Sequence, residues 1–159
     1  MKVTTILFLT HGNEIYLSEK KKGFGTGYLN GYGGRIAEGE SIEETAVREL
    51  NEEAGVTANL QKLEKVAVID FFEDKEHIFE CQVFFLPEWE GQLKETEEMA
   101  HPQLYPITNL PYERMWKSDR IWLPLIFAGK KIQARAYYKK GMDEMKHFEY
   151  KALELDILK

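Results

Sequence analysis

Residues 34–56 read GRIAEGESIEETAVRELNEEAGV, and this stretch sets the frame for the rest of the chain. Ile42, Ala46, Val47, Leu50 and Ala54 recur at helical spacing and form one apolar stripe. Ser41 followed three residues later by Glu44 is the pattern of a capping box, and Gly55 stops the helix. Glu49, Glu52 and Glu53 stand at i, i+3 and i+4, so their carboxylates share a helix face away from that stripe. Three close carboxylates repel one another unless a cation lies between them, and a hard, oxygen-rich cluster suits Mg²⁺, with Mn²⁺ as a substitute.

Outward from this helix the periodicity changes. Residues 3–10 and 14–20 read as two strands around the turn His11-Gly12-Asn13, followed by a glycine-rich segment from Gly23 to Gly34. Residues 63–73 and 77–86 read as a second hairpin around residues 73–76. A polar acidic run, 88–101, leads to a short strand at 103–107. Ser118 then reads as the N-cap of a second helix running to Ala128. Residues 131–138 and 146–155 form a third hairpin turning at Lys140-Gly141-Met142-Asp143. With no repeat, low-complexity tract or linker, residues 1–159 are expected to form a single α+β domain with mixed sheets and two helices.

Composition narrows the classes of partner. The 159 residues carry 21 Lys and Arg against 27 Asp and Glu, a net charge of -6. That balance disfavours binding of long nucleic acid, which rests on phosphate neutralisation, and leaves a small anionic ligand bridged by metal. Cys81 is the single cysteine and reads as a small buried hydrophobe in a strand. The apolar run at residues 3–9 is short, contains Thr4 and Thr5, and lacks a small-residue cleavage site, so it is not read as a signal peptide. No apolar stretch is long enough for a membrane span. The expectation is a cytoplasmic monomer acting on a small molecule.

At every fixed position the stretch from Gly34 to Val56 matches G-x5-E-x7-R-E-U-x-E-E-x-G-U, where U is apolar, and so resembles the Nudix box. The resemblance implies the Nudix fold, mixed β-sheets sandwiched by helices, with the box as loop–helix–loop. It implies a hydrolase in which Glu49, Glu52 and Glu53 hold divalent ions against a diphosphate, joined by the Gly33 carbonyl. Arg48 would orient a box carboxylate such as Glu40. Glu52 or Glu53 would accept the proton of the attacking water.

Outside the box, residues 20–34, 96–99, 111–116 and 119–125 resemble the MutT-homologue branch that hydrolyses oxidised purine nucleoside triphosphates. The likeness is nearer to its mammalian type and runs along residues 3–155. By this resemblance Trp116 stacks on the base, Asn30 reaches its edge and Asp119 reads its hydrogen-bonding groups. Phe24, Phe71 and Met99 wall the pocket, Thr5, Lys20 and Gly34 add contacts, and Glu98 is a further metal ligand. That branch carries a second aspartate where this chain has Ser118. Ser118 is expected to donate its hydroxyl to a guanine-type O6 and to narrow the range towards 8-oxo-dGTP over 2-hydroxy-dATP. Hydrolysis of ADP-ribose, a dinucleoside polyphosphate or a capped RNA, or a non-catalytic nucleotide sensor, are the competing expectations. Gly23-x-Gly25-x-Gly27 lacks the Lys-Ser/Thr of a phosphate loop, and the four histidines have no ligand spacing.

Overall fold

A computed structural model describes residues 2–154. Strands β1 (Val3–His11), β2 (Glu14–Glu19), β3 (Leu29–Asn30), β4 (Glu64–Glu73), β5 (Glu76–Leu86), β6 (Gln103–Pro106), β7 (Ile132–Tyr138) and β8 (Met145–Ala152) join one sheet. Its order is β3-β2-β1-β5-β4-β7-β8, with β6 also on β2. The β1–β5 and β4–β7 pairs are parallel and the others antiparallel, so the sheet is mixed as expected. Helices α1 (Ile42–Ala54) and α2 (Asp119–Phe127) complete the α+β fold. Residue 155, given above as the end of the last strand, lies outside the described residues.

Side chains alternate across β1, and this separates two cores. Leu7 and Leu9 are buried with Ala46, Leu50 and Ala54 of α1, while Phe8 is buried with Trp122, Leu123 and Ile126 of α2. The helices therefore cover opposite faces of the sheet. Burying a side chain such as Leu50, which has no exposed surface, contributes about 2 kcal/mol.

Two local expectations are corrected. The first two strands are not a regular hairpin: they pair only at Thr10 with Ile15 and at His11 with Glu14. From Val3 to Leu9, β1 instead lies parallel to β5, and β2 turns away to pair with β3 and β6. Ser118 is not a side-chain cap. Its φ of -70° and ψ of -23° are already helical, and its side chain makes no capping bond.

Candidate functional site

Local sequence places the carboxylates. Ser41 Oγ accepts from the Glu44 N–H at 3.1 Å, and Glu44 Oε1 accepts from the Ser41 N–H at 2.8 Å, so the capping box forms. Gly55 ends α1 with a left-handed φ of 77° and donates its N–H to the Asn51 carbonyl. Between these stops the three glutamates find different environments. Glu52 is exposed on the helix surface, Glu49 is largely covered, and Glu53 is only 5% exposed. Glu53 thus enters the buried side of α1, which the apolar stripe alone had not indicated.

Two glycines make room for this arrangement. A Cβ on Gly34 would collide with the Glu49 carboxylate, and one on Gly33 with the Thr5 carbonyl. The Gly33 N–H donates to Glu53 Oε1 at 3.1 Å, so the contact seen between Gly33 and the carboxylates is through its amide. Arg48 clasps Glu40 through Nε at 2.8 Å and a terminal nitrogen at 3.1 Å, and Thr45 Oγ1 donates to the same carboxylate at 2.7 Å. Its other terminal nitrogen reaches both Glu52 oxygens at 3.1–3.2 Å and lies 3.5 Å from Glu49. The pairing of Arg48 with Glu40 matches the expectation, and the further pairing with Glu52 adds to it.

Burial pushes the Glu53 carboxyl up to about 8, against the Gly33 hydrogen bond, with Glu49 and Glu98 adding repulsion. Glu49 is raised as well, first by burial and then by the charge of Glu52. The Arg48 hydrogen bond holds Glu40 below the ordinary carboxylate range. Among the described residues no three His, Cys, Asp or Glu side chains already converge as a ligand set. Glu98 is exposed, and its carbonyl accepts from the Lys21 N–H at 2.9 Å.

A hollow of about 380 Å³ joins this acidic region to an aromatic one. Lys20, Gly33, Gly34 and Glu53 line it, and so do Asn30, Trp116 and Asp119. Thr5, Phe24, Phe71 and Met99 complete the expected wall. Thr5 brings a buried hydroxyl with no hydrogen-bond partner among the described residues. Phe24, 60% exposed, lies across Trp116 with ring centres 5.1 Å apart and 23° between planes. Phe24 thereby covers that face of the indole. Tyr28 meets Trp116 edge-on at 4.5 Å.

Asp119 is buried at the hollow and held from two sides. Its Oδ2 accepts from the Trp116 N–H at 3.1 Å and its Oδ1 from Trp122 Nε1 at 3.0 Å. Burial raises its carboxyl to about 7 despite both bonds. Each oxygen keeps further acceptor capacity for a ligand.

Ser118 is the one expected pocket residue the hollow leaves out. It is fully buried, its N–H donates to the Tyr138 hydroxyl at 2.9 Å, and that hydroxyl donates to Ser118 Oγ at 2.9 Å. Its Oγ is thus engaged by Tyr138 and does not line the hollow. Sequence reading missed Tyr138, Phe79, Tyr28 and Met142, and it left Trp122 to the core. Trp122 is indeed 3% exposed, yet its indole N–H positions Asp119. Phe79 stacks on Phe71 at 4.8 Å, and its alternation on β5 with Cys81 was the available signal.

The NUDIX domain matches residues 1–126. An oxidized purine nucleoside triphosphate hydrolase of Danio rerio is 36% identical over 132 residues, 82% of this chain and 83% of its own. The protein of the same name from Mus musculus is 35% identical over the same shares. A MutT protein from Bacillus halodurans has a similar fold, with a TM-score of 0.77 at 18% identity over 94% of this chain and 97% of its own. A capped helix with its glutamates over a glycine loop, the domain match and these relatives lead to one conclusion: the chain belongs to the Nudix hydrolase family.

Proposed function

We propose that this Nudix hydrolase cleaves oxidised purine nucleoside triphosphates of the 8-oxo-dGTP type, with water, to the monophosphate and pyrophosphate. The observation that carries the reading is the single hollow touching both Glu53 and the Asp119–Trp116–Asn30 group. A base on Trp116 gains the stacking that any purine offers, and Asp119 adds discrimination. Its ionised carboxylate accepts from the adjacent N1–H and N2–H₂ donors of a guanine edge. Lys20, on the same wall, suits the negative charge of the phosphate chain.

The acidic region fits a divalent cation. Burial and neighbouring carboxylates raise both Glu49 and Glu53 above the ordinary carboxylate range, and a cation relieves the repulsion among them. Glu49, Glu52, Glu53 and Glu98 are the carboxylates that would hold it, and their oxygen chemistry favours Mg²⁺ with Mn²⁺ as a substitute. When bound, the ion supplies neutralisation of the diphosphate and activation of the attacking water. Arg48 keeps Glu40 and Glu52 in place, and the Gly33 N–H fixes one oxygen of Glu53. Glu52 or Glu53 takes the proton from the water.

Incubation with Mg²⁺ and a nucleotide panel, followed by pyrophosphate release, tests the reading. The expected result is 8-oxo-dGTP converted to 8-oxo-dGMP and pyrophosphate with kcat/KM at least tenfold above that for dGTP. Faster turnover of ADP-ribose, a dinucleoside polyphosphate or a capped RNA overturns the substrate. No turnover of any of them, with the box intact, points to a nucleotide sensor.

A further inference from the structure

The turn between β7 and β8 carries a feature that neither the box nor the base-reading residues account for. In residues 139–144 every side chain is exposed except that of Met142, which is 6% exposed. Met142 has a φ of 61°, the left-handed region that a non-glycine residue seldom adopts. Gly141 beside it has a φ of 90°, so a residue without this constraint stands one position away. Backbone of this kind persists only where the surroundings hold it, and such positions gather at ligand sites.

The surroundings do hold it. The Met142 N–H donates to the Lys139 carbonyl at 2.8 Å, and the Gly141 N–H donates to Glu73 Oε2 at 2.7 Å. The Asp74 N–H donates to the Tyr138 carbonyl at 2.7 Å, so the β4–β5 turn clamps the β7–β8 turn from both residues. The clamp directs a long apolar side chain inward from an otherwise polar turn. There Met142 lines the same hollow as Phe71, Trp116 and Asp119. A flexible, polarisable thioether suits the flat face or edge of an aromatic ring system.

We propose that Met142 is a further substrate-binding residue: it is the wall of the base-binding hollow contributed by the β7–β8 turn, and its side chain packs against the ring system of the bound purine. The proposal rests on the nucleotide reading above. Two variants separate this role from core filling. Met142→Gly removes the side chain and relieves the left-handed backbone, whereas Met142→Leu restores most of the volume without the sulfur. Both are assayed at a temperature where circular dichroism shows them fully folded, with whichever nucleotide the wild type hydrolyses best.

Met142→Gly raises KM about tenfold, the discrimination that one apolar contact in a pocket supplies, while kcat changes far less. Met142→Leu brings KM back to within threefold of wild type. A KM for Met142→Gly within twofold of wild type, or a rise that leucine does not reverse, overturns the proposal. A wild type preferring a nucleotide other than an oxidised purine refutes the substrate reading instead, and the same ratios are then read on that nucleotide. If the wild type hydrolyses none, the ratios are read on dissociation constants for 8-oxo-dGMP and dGMP, followed by Trp fluorescence.

Discussion

Glu53→Gln should stabilise the metal-free protein at neutral pH. The carboxyl is 5% exposed and titrates at about 8 in the fold, against 4.5 for the free group. Because the folded value is the higher one, protonated Glu53 is the stabilised form. Its contribution is complete below about pH 4.5 and is lost as the pH climbs through 8. Between these values each pH unit removes up to about 1.4 kcal/mol, so by pH 7 the loss reaches roughly 3 kcal/mol, against under about 1 kcal/mol at pH 5. Glutamine keeps an oxygen for the Gly33 N–H and carries no charge to desolvate. In EDTA-treated protein the variant should therefore melt roughly 5–10 °C above wild type at pH 7, and the gap should close towards pH 5. Mg²⁺ at a thousand times its Kd should reverse the order, since it then stabilises the wild type by about 4.1 kcal/mol and the variant has lost a carboxylate for it. The same variant should lose roughly two to four orders of magnitude in turnover at saturating Mg²⁺. Differential scanning fluorimetry across pH, with and without Mg²⁺, reads the stability effect. A gap of equal size at pH 5 and pH 8, or a variant less stable than wild type at pH 8 without metal, refutes the reasoning.

Trp116→Ala should weaken binding of purine triphosphates by about 1–3 kcal/mol irrespective of oxidation at the base, measured by calorimetry; normal affinity with a collapsed Tm would make it a core residue only. Asp119 titrates at about 7, so kcat/KM for 8-oxo-dGTP should rise with pH through that value as the carboxylate becomes ionised. Trp122→Phe removes a hydrogen bond that favours the ionised form, so the midpoint of that profile should move upward; an unmoved midpoint would separate Asp119 from the profile. Ser118→Asp should bury a carboxylate against Tyr138 and destabilise the fold by about 3 kcal/mol or more, seen in urea unfolding. A stable Ser118→Asp protein with raised activity on 2-hydroxy-dATP would return Ser118 to the base pocket.

Helix α1, its two stops and the spacing of Glu49, Glu52 and Glu53 were legible in the amino-acid order because helical geometry relates residues three and four apart. The capping box and Gly55 depend only on contacts within a few residues, and they form as read. Strand positions followed from alternation for the same reason. What local order cannot contain is which distant surface meets each side chain. Parallel pairing joins Thr4 to Cys81 across 77 positions, and it placed β5 rather than β2 along most of β1. The same limit explains Ser118. Its neighbours along the chain suggested a helix cap and the resemblance a contact to the base, but Tyr138, twenty residues on, supplies the buried hydroxyl that engages it. Glu52 and Glu53 are consecutive and chemically identical, yet tertiary packing leaves one in solvent and closes Gly33 over the other. Their difference in electrostatics comes from burial, a property of the folded surroundings rather than of residue type.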